Sequence, residues 1–142
     1  MAYRRRHLSS ALSVLALFLS PPTSAQDRFE VLRACAKGSA HVGQRECLAT
    51  ESEKSKSAVS AAERELAARI TKTDERAQDK ARALAAAVDE AAAFGQYADK
   101  HCDSFASLSF GGNSQDDRRL ACHIELNLLR ALQLKKIAAS TL

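Results

Sequence analysis

From Gln44 to Phe94 the chain contains neither glycine nor proline, and Ala, Glu, Lys and Arg dominate. That composition commits the segment to helix. The spacing agrees: Leu48, Ser52, Ser55, Val59, Ala62, Leu66 and Ile70 recur at three and four residues. A second series does the same, through Ala77, Ala81, Leu84, Val88, Ala91, Phe94, Ala98, Cys102 and Phe105. Unbroken, residues 44–94 would form a rod of roughly 75 Å at about 1.5 Å per residue. A small domain cannot pack such a rod on itself. Cap-forming and β-branched residues gather at Thr71-Lys72-Thr73-Asp74, so the helix is predicted to break there.

Residues 104–117 read as a loop built around Gly111-Gly112-Asn113-Ser114, with Ser114 and Asp117 spaced as a capping box that uses Asp for Glu. A third helix follows, with Leu120, Ile124, Leu128, Ala131 and Leu132 on one face and an end near Ala139. The segment from Gln26 to Gly43 reads as a short helical turn plus loop. Period-two alternation is missing throughout. The expected fold is all-α: a small three-helix antiparallel bundle with a short N-terminal helical turn, stapled by two disulfides.

The first residues follow a different logic. Arg4, Arg5 and Arg6 precede an apolar run from Leu8 to Leu19, then Pro21-Pro22 and the small residues Thr23-Ser24-Ala25. This is the pattern of a secretory signal peptide, residues 1–25, cleaved near Ala25-Gln26. No second apolar run follows that would span a membrane after its removal. One domain, residues 26–142, is expected in the mature chain. Its 18 basic residues barely exceed its 17 acidic ones, so no cationic face is available for nucleic acid. Only 23 of its 117 residues are Leu, Ile, Val or Phe, a small core that gains from covalent staples. Four cysteines in an exported chain point to two disulfides and to a periplasmic or secreted location.

Cys102 lies late in one predicted helix and Cys122 early in the next, while Cys35 and Cys47 flank the loop before the first long helix. The preferred pairing is Cys35–Cys47 and Cys102–Cys122, one of three connectivities. Cross-pairing stays open, because Cys47 begins its helix at the end where Cys102 finishes. His101-Cys102 and Cys122-His123 also raise a metal site. Adjacent helical residues point about 100° apart, however, and an oxidising compartment disfavours zinc thiolates. No metal or cofactor is expected. Leu32-Arg33-Ala34-Cys35 does not suit a lipidation box, so Cys35 is read as structural.

Phe94, Tyr97 and Cys102 on one helix, a Gly111-Gly112 loop, and then Cys122, Leu126, Arg130 and Leu134 at spacings of four resemble the lysozyme inhibitor LprI-like family of small exported bacterial proteins. The resemblance covers Cys35 to Leu134. This chain has Phe94 where the family usually has Trp, and Ala98 where it has Arg. It also carries Lys56, Val59, Ser60 and Glu63 in place of an Asp-x-x-Leu-Asn-x-x-Tyr pattern. The resemblance implies binding to a lysozyme, whose cleft is lined by two carboxylates. A loop clamped by Cys102–Cys122 would bind there with little ordering cost. Its candidate contacts are Phe110, Gly111, Gly112, Asn113, Ser114 and Gln115, with Arg118 or Arg119 meeting a carboxylate.

The plainer readings are a simple turn at Gly111-Gly112, a solvated face at Arg118-Arg119, and core positions for Phe94, Tyr97 and Phe105. Arg130 is expected to pair with an acid across the helix pair, such as Asp99 or Asp103, and His41 sits in a loop and carries no partner signal. A near-neutral chain gains no steering toward cationic lysozymes. No nucleophile–base spacing or phosphate loop stands out, so a binding protein is expected rather than an enzyme. The alternative to an inhibitor is a periplasmic adaptor that packs on a partner helix. Ala81, Ala85, Ala87 and Ala91 to Ala93 would suit either the core or a homo-oligomer seam.

Overall fold

The computed structural model describes residues 30–38, 40–109 and 112–140, with Asn113 described by its backbone alone. The signal-peptide expectation for residues 1–25 lies outside these residues. Four helices follow in order: α1 (Glu30–Ala36), α2 (His41–Lys72), α3 (Ala77–Ser107) and α4 (Asn113–Ser140). Among the described residues there is no strand. No described helix is long and apolar enough to cross a membrane.

The predicted break falls between Lys72 and Ala77. Thr73 turns extended, at φ −63° and ψ 153°, while its N–H and its hydroxyl both donate to the Ile70 carbonyl. The Lys80 ammonium reaches back from α3 to the carbonyls of Thr71 and Thr73. A cation at a helix C-terminus satisfies open carbonyls and complements the helix dipole. At its other end α2 starts at His41, earlier than expected, so Gly43 lies inside the helix rather than in a loop.

α4 lies between α2 and α3 and takes most of the packing, whereas α2 and α3 touch little. The expected stripe of α2 is the one that packs: Leu48, Ser52, Ser55, Ala62, Leu66 and Ile70 are all buried. One core cluster joins Ala62, Leu66 and Ile70 to Ala131, Leu134 and Ala138, with Leu84 against it. A second joins Cys35 and Leu48 to Ala121 and Ile124, with Val31 and Leu32 of α1 covering it. Between the two lies a polar waist. There Asn127 Nδ2 donates to Ser55 Oγ at 3.2 Å, and Ser55 donates to the Ser52 carbonyl at 2.8 Å. Serines at this level let α4 approach closely without stranding a buried hydroxyl.

The face of α4 differs from the expectation. Ala121, Ile124, Ala131, Leu134 and Ala138 are buried, whereas Leu128 and Leu132 are 46% and 57% exposed. Close approach of α2 selects the alanines, and bulky leucines would hold the two helices apart. The N-terminal half of the α3 series is also open: Ala77, Ala81 and Val88 are exposed, and burial begins in earnest at Ala98 and Cys102.

Arg130 is nearly buried and pairs through both guanidinium ends with an acid across the helix pair, as expected, though that acid is Glu90 and neither Asp99 nor Asp103. Its guanidinium carbon sits 5.5 Å from the Phe94 ring centre. Burial pushes its pKa down from the ordinary value, and the Glu63 carboxylate opposes that. Glu90 is 55% exposed, so the two partners are not equivalent. Glu90→Gln leaves a buried cation without its main counter-charge and is expected to cost about 1–3 kcal/mol. Arg130→Met keeps the apolar stem and returns a solvated carboxylate to water, so its cost should be smaller. Urea unfolding of the two variants side by side checks the order.

Candidate functional site

At one end of the bundle the chain leaves α3, makes a short turn and enters α4. Two disulfides fix this end. Cys102–Cys122 joins α3 to α4 with Cα atoms 5.6 Å apart, and Cys35–Cys47 joins α1 to α2 at 5.5 Å. The preferred pairing is therefore the one formed, and the described residues include no free cysteine. Cys102 and Cys122, the thiols raised as metal ligands, are held in a disulfide.

The turn is shorter than the predicted loop. α3 continues to Ser107 and α4 starts at Asn113, so residues 108–112 make the connection and Ser114, Gln115 and Asp117 are already helical. Gly112 has φ +84°, a left-handed conformation that glycine adopts without a side-chain clash, and its carbonyl accepts from the Gln115 N–H. Ser114 therefore lies inside the helix rather than at its cap. Phe110 and Gly111 lie outside the described residues. Ser114 is exposed, and Gln115, Arg118 and Arg119 are half-buried.

Asp117 does something other than cap. It is 4% exposed, and its two carboxylate oxygens face α2: His41 Nε2 lies 3.2 Å from Oδ2, and Arg45 Nε lies 3.3 Å from Oδ1. Arg45 also reaches Asp116 at 3.5 Å. Arg119 meets Asp103 of α3 at 2.6 Å and Asp116 at 3.1 Å. One chain of charges thus runs from α2 through the first turns of α4 to the end of α3, beside a cleft of about 380 Å³ lined by Arg45, Ala49, Leu120 and His123 among others. Asp116 and Asp117 near the helix N-terminus also complement its dipole.

His41 is a correction to the sequence reading: it opens α2 and has a partner in Asp117. Arg45 was not singled out at all. The signal was present, because His41 and Arg45 are four apart and share a helix face, but nothing local tells which acid they meet. Of the three aromatics assigned to the core, Phe94 and Phe105 are half-buried. Tyr97 is 54% exposed and stacks on His101 at 5.3 Å.

Among the described residues there is no group of His, Cys, Asp or Glu that could hold a metal ion. What the arrangement presents is a glycine turn whose two flanking helices are locked by a disulfide and by ion pairs. Fold and site together define a small, disulfide-stapled helical domain whose α3 and α4 are joined beside their connection by a disulfide and an ion pair. Residues 34–134 match the family described as lysozyme inhibitor LprI, and the chain belongs to that family. No curated protein and no solved structure matches the chain.

Proposed function

We propose that the chain is exported, loses residues 1–25, and acts in the periplasm or outside the cell by binding a lysozyme rather than by catalysis. Membership of an inhibitor family over residues 34–134 is the observation that carries this reading. The clamped turn supports it mechanically. Residues 110–115 enter the cleft between the two lysozyme carboxylates, and Arg118 meets one of them, since Arg119 is already engaged by Asp103 and Asp116. Because Cys102–Cys122 joins the two flanking helices before binding, less conformational entropy is lost on association than with free helix ends.

A second reading, a helical adaptor with no lysozyme target, draws on the exposed Leu128, Leu129 and Leu132 of α4. The two readings place the functional residues differently. Triple substitution of Asn113, Ser114 and Gln115 by alanine should weaken inhibition of lysozyme at least tenfold while leaving thermal stability within a few degrees. Leu129→Ser should leave inhibition unchanged. The opposite pattern in a lysis assay favours the adaptor.

A further inference from the structure

The two staples differ in what holds their thiols together once the sulfur–sulfur bond is open. Cys102 and Cys122 stand on helices of 31 and 28 residues. Those helices are joined again by Arg119 to Asp103 at 2.6 Å and by Arg130 to Glu90. Cys35 stands on α1, whose seven residues are too few to stay helical unaided. α1 is a small cover: Val31 and Leu32 lie over Leu48, Ala121 and Ile124 at one end of the core.

The reductant strength that opens a disulfide rises with the effective concentration of its two thiols in the reduced protein. In an unfolded chain the loop length sets that concentration. The separations are 12 and 20 residues, so Cys35–Cys47 is the better closed of the two there, by about twofold on the −3/2 power of length. In the folded chain packing sets it instead, and the order reverses. Two long docked helices keep Cys102 facing Cys122, whereas Cys35 leaves with α1. Access does not separate the staples, because Cys47 is partly exposed and Cys122, at 7% exposure, lines the groove between α3 and α4.

We infer that Cys35–Cys47 is a redox-released latch: a dithiol opens it while Cys102–Cys122 stays closed, and α1 then undocks from α2 and α4. Cys35 is 2% exposed, so attack comes at the Cys47 sulfur. One thiolate of the dithiol bonds to it, the Cys35–Cys47 bond breaks, and Cys35 leaves as a thiolate that takes a proton. The second thiolate of the dithiol then displaces Cys47 from the mixed disulfide. The dithiol ends as a disulfide, and its two electrons and two protons end on Cys35 and Cys47. The opened latch bares Leu48, Ala121 and Ile124 and leaves the α3–α4 junction joined. Excess reductant opens both staples. The inference is independent of the lysozyme reading, since no lysozyme enters its test.

The oxidised chain, residues 26–142, is equilibrated in native buffer over a series of reduced-to-oxidised dithiothreitol ratios, quenched, alkylated and mapped by peptide mass. Cys35 and Cys47 should become alkylated at a ratio at least tenfold lower than Cys102 and Cys122. In 8 M urea the order should reverse, with a gap of about twofold. Leu32→Ala loosens α1 and should lower the ratio for Cys35–Cys47 at least threefold further, leaving Cys102–Cys122 unmoved. Hydrogen exchange on the half-reduced species should rise in α1 and stay slow at residues 100–122. Opening of both staples together in native buffer, or of Cys102–Cys122 first, overturns the proposal. So does a Cys35–Cys47 midpoint indifferent to Leu32→Ala, or a selectively reduced chain whose α1 exchanges no faster.

Discussion

Alanine at both Cys102 and Cys122 is expected to lower the unfolding free energy by about 3 kcal/mol, the chain-entropy value for a loop of this length. The disulfide closes 20 residues, which include the whole turn into α4. For a chain of this size the loss corresponds to a fall in Tm of roughly 10–15 °C. Cys102 is fully buried, so truncation also removes packed atoms and adds to the cost. Loss of Cys35–Cys47 should look different. α1 has only seven residues, too few to persist unaided. Its release would bare Leu48, Ala121 and Ile124 while leaving the contacts of α3 with α4 in place. Thermal melts of the two double-alanine variants, followed by hydrogen exchange, separate the cases. Exchange should rise first near α1 in the second variant and around residues 100–122 in the first.

The second large effect concerns which side of α4 is the inside. Leu134→Ala should cost about 2–5 kcal/mol, because Leu134 is 2% exposed and packs among Ala62, Leu66, Ile70, Ala131 and Ala138. Leu132→Ala, two residues earlier, should change stability by no more than about 0.5 kcal/mol in the dilute monomer. Equal costs at the two positions would mean that α4 is rotated from the orientation described. Denaturant titrations at low protein concentration give the answer directly.

Leu132 is also where sequence reasoning failed, and the reason is physical. The stripe of α2 was legible because most of it faces one helix, α4, so burial and hydrophobic periodicity coincide. The break at Thr73 was legible because cap-forming residues interrupt an otherwise uninterrupted helical composition. α4 has three neighbours, α2, α3 and α1. Its strongest hydrophobic series is not its contact face, since Ala121, Ala131 and Ala138 allow closer approach than leucine does. Ion pairs were the least legible feature. Arg130 meets Glu90, and His41 with Arg45 meets Asp117, because helix rotation and relative height decide which charges face each other. The loop between α3 and α4 was drawn too long. Ser114, Gln115 and Asp117 are ordinary loop residues by type, yet they are helical once Gly112 supplies the left-handed turn.

These findings give the proposed inhibitor a specific mechanical requirement: the turn must be held before the target arrives. Reduction releases both staples at once, while the ion pairs of Asp117 and Arg119 survive only if the helices stay docked. The most direct test is lysis of cell walls by lysozymes of several types, with an oxidised sample of residues 26–142, the proposed mature chain, added at rising concentration beside a reduced and alkylated sample. Dose-dependent inhibition by the oxidised chain, lost in the alkylated one, is the predicted result. Absence of inhibition at tens of micromolar, or equal inhibition by both samples, would contradict it.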